Sequence, residues 1–286
     1  MIHPDDLRYF KEISSTGNLR RAAERLGVTQ PALSHSLKRL EEQLGCPLMI
    51  RSKSGVRLTR AGAKLAGLSG QLEDVWNRIQ NIVTDENERI AGTYRLGVHT
   101  ALGQYLLPSF VGPLLEAHEG LSFKFEHGLS RQMAESVISN RLDFGIVVNP
   151  PEHPDLVIRK LGEDSVRMWK APKLKNTDVL ICDPDLHQVQ TILRACAKKG
   201  IRFERELHTS SLEIAARLTA EGAGVGIIPA RVLKVMDGAN AVPFHRDAPE
   251  FKDSICLIYK KENQNTRAAQ VITEFIRTHV GAAFRD

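Results

Sequence analysis

The 286-residue chain is too long for one ordinary domain and suits a small domain beside one of roughly 200 residues. Its 42% hydrophobic content is enough for a full core, yet no run reaches the ~18 consecutive apolar residues of a membrane helix. The opening Met1-Ile2-His3-Pro4-Asp5-Asp6 lacks the basic start and apolar stretch of a signal peptide, so a cytoplasmic protein with no membrane partner is expected. The net charge of +5 is concentrated: residues 1–64 hold twelve Lys/Arg against six Asp/Glu, and the rest holds 27 against 28. A basic head on a neutral body points to a polyanion, because neutralising phosphates releases counterions.

The head reads as three short helices. Pro4-Asp5-Asp6 opens the first, which buries Leu7, Phe10 and Ile13 and ends at Ser14–Gly17. Asn18 caps the second, which buries Ala22, Ala23 and Leu26 and stops at Gly27. Thr29 caps the third, with Pro31 in its first turn, and that helix runs to Gly45. Leu33, Leu37, Leu40 and Leu44 form its inward stripe. Gln30, Ser34 and Lys38 fall on the opposite face with His35 adjoining, side chains of the reach needed for base edges and phosphates. The tight Gly27-Val28-Thr29 turn gives these helices a helix-turn-helix layout. Leu48–Arg51 and Val56–Thr59 read as a hairpin around Ser52-Lys53-Ser54-Gly55, a wing placed to put Arg51, Lys53 or Arg57 against the DNA backbone or minor groove.

The run Ala22-Ala23-Glu24-Arg25-Leu26-Gly27-Val28-Thr29-Gln30-Pro31-Ala32-Leu33-Ser34 resembles the helix-turn-helix of the LysR-type transcriptional regulators. Leu40-Glu41-Glu42-Gln43-Leu44-Gly45-Cys46-Pro47-Leu48 and Arg57-Leu58-Thr59-Arg60-Ala61-Gly62 extend the resemblance over about sixty residues. Two departures stand out: Met49-Ile50 replaces the family's Phe and polar residue, and His35 stands where an Arg is frequent. The DNA-binding expectation is therefore Thr29, Gln30, Pro31, Ser34, His35, Lys38, Arg51, Lys53 and Arg57, acting on double-stranded DNA.

From Ala61 to about Glu88 the pattern is helical, with Leu65, Leu68, Leu72, Val75, Ile79 and Ile82 spaced as a heptad seam. Such a narrow stripe needs a partner, either the following domain or a second copy, and Gly67 and Gly70 weaken the helix or let it bend; the resemblance implies a dimerising linker, and dimers or tetramers of the chain.

Residues 91–286 alternate strand and helix, an α/β pattern. Expected strands are Tyr94–Val98, Leu121–Phe125, Phe144–Val148, Val179–Cys182, Val225–Ile228 and Ser254–Tyr259. Expected helices are Tyr105–His118, Arg131–Asn140, Leu186–Lys199, Leu212–Ala220 and Thr266–His279. Arg141-Leu142-Asp143-Phe144-Gly145-Ile146 and Gly222-Ala223-Gly224-Val225-Gly226-Ile227-Ile228-Pro229 resemble the LysR effector domain. That resemblance implies a fold of two lobes like periplasmic solute-binding proteins, with a small-molecule effector between them. The organisation expected is a winged helix-turn-helix at 1–60, a linker helix at 61–90 and an effector-binding domain at 91–286. Lobe one comprises 91–160 plus 263–286, and lobe two 161–262.

By position, His99, Thr100, Ser130, Thr209 and Ser210 are the effector-site candidates. Hydroxyls at helix starts suit an anionic group, and a protonated His99 could pair with one; each Ser or Thr is equally well placed as a plain helix cap. No catalytic triad, HExxH or paired-carboxylate pattern is visible, and Gly222-x-Gly224-x-Gly226 enters a strand where a dinucleotide fingerprint would leave one. Ten histidines and Cys46, Cys182, Cys196 and Cys256 show no ligand spacing, so neither metal nor cofactor is expected. The resulting expectation is a non-enzymatic, effector-modulated transcription regulator, with RNA polymerase a further partner. The alternatives are a redox-sensing regulator using Cys182 or Cys196, and an α/β enzyme with a generic DNA anchor.

Overall fold

A computed structural model describes residues 3–52, 55–68, 75–76, 79, 90–174, 177–236, 240–264 and 266–284. The chain divides into two compact units, Met1–Val83 and Thr84–Asp286.

The first unit contains α1 (Pro4–Thr16), α2 (Leu19–Leu26), α3 (Gln30–Leu44), and the hairpin β1 (Met49–Ser52) and β2 (Gly55–Leu58). Asn18 Oδ1 accepts from the backbone N–H groups of Arg20 and Arg21, and Thr29 Oγ1 from that of Ala32, so both expected N-caps form. Gly17, Gly27 and Gly45 end the helices in left-handed conformations. Phe10, Ile13, Ala22, Leu33 and Leu40 are fully buried in one core. Leu44, expected on the same stripe, is 38% exposed; it sits in the last turn, beyond the reach of α1 and α2.

Side-chain bonds hold this unit in register. The buried carboxylate of Asp6 accepts from Ser36 Oγ at 2.5 Å and from Arg39 Nε at 3.0 Å, tying α1 to α3. Glu41 Oε1 accepts the N–H groups of Leu48 and Met49, fastening the wing to the end of α3. Thr59 Oγ1 accepts the Gly62 N–H at 3.0 Å, capping a helix that follows the wing through residues 60–68. A Cβ on Gly62 would lie 2.0 Å from the Leu48 carbonyl oxygen, so only glycine lets that helix start so close. Of the expected linker seam, Leu65 packs on this core, Leu68, Val75 and Ile79 are exposed, and Leu72 and Ile82 lie outside the described residues, as does Gly70.

In the second unit one twisted sheet runs through both lobes in the order β4-β3-β5-β11-β6-β9-β7-β8, with β10 (Val242–Pro243) beside β6. Lobe one carries β3 (Gly92–His99), β4 (Leu121–Gly128) and β5 (Phe144–Val148), all parallel. These strands alternate with α4 (Thr100–Ala117) and α5 (Ser130–Ile138), and α9 (Arg267–Ala283) packs back on α4. Lobe two carries β7 (Val179–Cys182), β8 (Arg205–His208) and β9 (Val225–Pro229), with α6 (His187–Lys198), α7 (Leu212–Ala220) and α8 (Ala230–Val235). Two long antiparallel strands, β6 (Leu156–Lys170) and β11 (Phe251–Lys260), belong to both lobes. β11 pairs β5 on one side, the far end of β6 pairs β9 on the other, and their mutual register shifts between Ile255 and Cys256. The passages between lobes therefore lie inside continuous strands.

The motifs singled out in the sequence are structural. Asp143 Oδ2 accepts the Arg95 N–H at 2.7 Å, locking β5 beside β3. Gly222 turns at φ +84°, and a Cβ on Gly226 would fall 2.1 Å from Oγ1 of the buried Thr219. The glycine run thus serves close packing of α7 on β9.

Candidate functional site

On the first unit, Thr29, Gln30, Pro31, His35 and Lys38 are exposed along one face of α3, and Ser34 is half-buried. Pro31 sits in the first turn, where a missing N–H costs nothing. Lys38 Nζ lies 3.6 Å from Glu42 Oε1, a pair too exposed to hold the lysine away from another anion. Arg57 is exposed on β2. Arg51 is a β1 residue whose side chain lies outside the described residues, and Lys53 lies outside them entirely. The face is rigidly mounted: the opposite side of α3 carries Leu33, Leu37 and Leu40 in the core, and Asp6 anchors Ser36 and Arg39 between them. Burial works against ionisation of Asp6, but the bonds from Arg39 and Ser36 outweigh it and hold the carboxyl below its usual range.

On the second unit a cleft of about 750 Å³ opens between the lobes over the hinge strands. Lobe one contributes His99, Tyr105, Leu129, Ser130 and Asn149; lobe two contributes Asp185, His187, Leu212 and Val232; Asp164 and Asp253 come from β6 and β11. Of the five candidates, the structure brings His99 and Ser130 to this cleft. His99 caps α4 without a side-chain bond, and burial lowers its pKa against the opposing pull of Glu213, which disfavours its charged form. Ser130 Oγ accepts the Val148 N–H at 2.9 Å, holding α5 to the end of β5. Thr100, Thr209 and Ser210 are not among the lining residues. Thr209 accepts the Ser211 N–H, and Ser211 is the N-cap of α7, accepting from Ile214. The residue that caps this helix is thus one past the candidates.

Sequence reading missed Tyr105, Asn149, Asp164 and Asp253. Asn149 carried a signal: it precedes two prolines, and it adopts φ +46°, a conformation asparagine tolerates. Its Nδ2 donates to Asp253 Oδ1 at 2.8 Å, and its Oδ1 accepts the Ser254 N–H. The lobes also meet through α4 and α7, where Gln104 Nε2 donates to Glu213 Oε1 at 3.0 Å.

The three buried cysteines are poorly suited to redox sensing. Burial pushes the Cys182 thiol up to about 11, helped by Glu206 and Asp183, and raises Cys196 and Cys256 as well. A thiol that keeps its proton at neutral pH is a weak nucleophile toward peroxide.

Comparison with known proteins agrees with this division. Residues 4–63 match the bacterial regulatory helix-turn-helix model of the lysR family, and residues 87–281 match the LysR substrate binding domain. The hydrogen peroxide-inducible genes activator of Dickeya chrysanthemi is 23% identical over 96% of this chain and 95% of its own length. The transcriptional activator CmpR of Synechocystis is 23% identical over 94% of this chain and 93% of its own. The crystal structure of full-length CbnR with its target DNA shares the fold at a TM-score of 0.67, with 19% identity over 97% of this chain and 99% of that one. Among the described residues no helix is long and apolar enough to cross a membrane. The chain belongs to the LysR family: it is a DNA-binding transcriptional regulator, not an enzyme, with an N-terminal winged helix-turn-helix and a two-lobed effector-binding domain.

Proposed function

We propose that this regulator reads a dyad-symmetric operator through the exposed face of α3 and changes its output when a small molecule occupies the cleft between the lobes. Gln30, Ser34 and His35 supply base-edge contacts, with Thr29 and Pro31 at the helix entry. Lys38, Arg51, Lys53 and Arg57 supply phosphate contacts that position the helix without reading sequence. The observation that carries the effector half is the cleft itself, about 750 Å³ and walled by both lobes over shared hinge strands. That size suits a small organic ligand, whose sites run about 300–1,000 Å³. A ligand touching both walls favours one lobe angle over another, and so shifts a pre-existing equilibrium.

The regulator acts as a dimer or tetramer, which the exposed Leu68, Val75 and Ile79 of the linker support, and its output passes to RNA polymerase. A redox reading draws support from relatives named as peroxide-inducible activators, but burial, which pushes the Cys182 thiol up to about 11 and raises Cys196, opposes it. The test is genome-wide recovery of DNA fragments bound by the purified protein at near-physiological salt. Enrichment of a dyad-symmetric site is expected; salt-sensitive, sequence-blind binding would overturn the operator reading.

A further inference from the structure

The floor of the cleft is formed by the hinge strands, and their register sets two carboxylates side by side: Asp164 of β6 is the ladder partner of Asp253 of β11. Their residues are only 7% and 3% exposed, yet both line the cavity. Existing bonds satisfy them in part. Asp253 accepts from Asn149, and Asp164 accepts the backbone N–H groups of Ser165 at 2.8 Å and Arg231 at 3.3 Å. Tyr105 of α4 lines the same cavity with a hydroxyl that is buried and, among the described residues, has no hydrogen-bond partner. Higher on the walls, Glu135 and Asp185 add two more carboxylates, while Arg131 lies 3.1 Å from Glu135, which offsets its charge. Burial disfavours the charged form of His99, and His187 is the other imidazole of the lining. Against the anion expected from His99 and the helix-start hydroxyls, this set of carboxylates favours a positive group, with Arg231 at the start of α8 the cation whose charge acts on Asp164 and Tyr105.

We infer that the cleft takes an organic cation, an ammonium or amidinium head seated between Asp164 and Asp253 with an apolar body against Leu102, Ile138 and Val232. The inference rests on the reading of this cleft as the effector site. Two neighbouring carboxylates in a low-dielectric site ionise together only at raised pH unless a counter-charge joins them. Burial, with Asp164 adding to it against the Asn149 bond, pushes Asp253 up to about 6. Burial raises Asp164 too, although the Ser165 and Arg231 N–H groups and the Arg231 charge oppose it. A head with several N–H donors lets both carboxylates ionise, and the Tyr105 oxygen becomes a further acceptor. A bare metal ion fits less well, since among the described residues no group of three or more His, Cys, Asp or Glu is placed to hold one. Seating the cation displaces the proton held by Asp253, so affinity rises with pH through about 6 and levels off above it.

The test titrates the full-length protein calorimetrically with benzamidine and 4-phenylbutylamine, and with the matched acids benzoate and 5-phenylvalerate. Binding of the two cations alone is expected, weakening about tenfold per pH unit below pH 6 as one proton must be displaced. Asp253→Asn, with its melting checked, is expected to weaken the cations by about tenfold or more. The pH series on the unmodified chain decides the matter if that variant does not fold. Binding of the acids, lost on filling the cleft with Leu129→Trp, overturns the cation and leaves the cleft as the effector site. Binding of either class that survives Leu129→Trp removes the cleft itself. Binding by neither class, or cation affinity flat with pH, overturns the inference.

Discussion

Single residues carry the precision of the DNA-reading head. Asp6 looks like an ordinary first-turn acid, yet its side chain is fully buried and bonded to Ser36 and Arg39, both on α3. Asp6→Asn should destabilise the head by about 2 kcal/mol in chemical denaturation, below the loss for a fully buried pair because Arg39 is half-exposed. Since the folded carboxyl sits below its usual range, the native chain's advantage over this variant is full above about pH 4 and shrinks as pH falls through the depressed value. At Gly62 the constraint is steric. A methyl group there meets the Leu48 carbonyl, so Gly62→Ala should cost about 3 kcal/mol and lower the melting temperature of the head.

At the scale of elements, α3 has two faces with separate duties. Gln30→Ala and Ser34→Ala leave its buried face intact and should reduce discrimination between operator and mismatched DNA by about 1–3 kcal/mol per lost base contact. Arg57→Ala on β2 should instead weaken binding to all sequences alike and lower the salt dependence by about one counterion. Competition binding at several salt concentrations separates the two outcomes. The helices of the head were legible because each start and stop is local: Asn18, Thr29 and the terminal glycines act on their own turns. The hinge strand β6 was not. Its sequence, Leu156–Lys170, changes burial pattern along its length because it serves one lobe and then the other. No single period describes such a strand.

Across the whole effector unit, the shared strands β6 and β11 join the lobes into one sheet, and the cleft lies over them. Gln104–Glu213 joins α4 and α7 across the lobes through an exposed bond. Removing it with Gln104→Ala should change overall stability by less than about 1 kcal/mol. Amide exchange at the start of α7 should nevertheless become faster, because the lobes sample wider angles. An unchanged exchange profile would show that the strands alone set the lobe angle.

The sequence by itself determined the family, the basic head, the amphipathic recognition helix and the alternating α/β body, because caps, periodicity and charge are properties of neighbouring residues. Tertiary structure decided the chemistry of the cleft. Asp164 and Asp253 are 89 positions apart and unremarkable in their own segments; only antiparallel register makes them a pair. Tyr105 reads as one more apolar residue of a helix, and only the packing of α4 over the hinge leaves its hydroxyl buried and unmatched. His99 could be read in the sequence as a partner for an anion or as a core histidine; its burial, which no local pattern reports, disfavours the charged form that an anion would need.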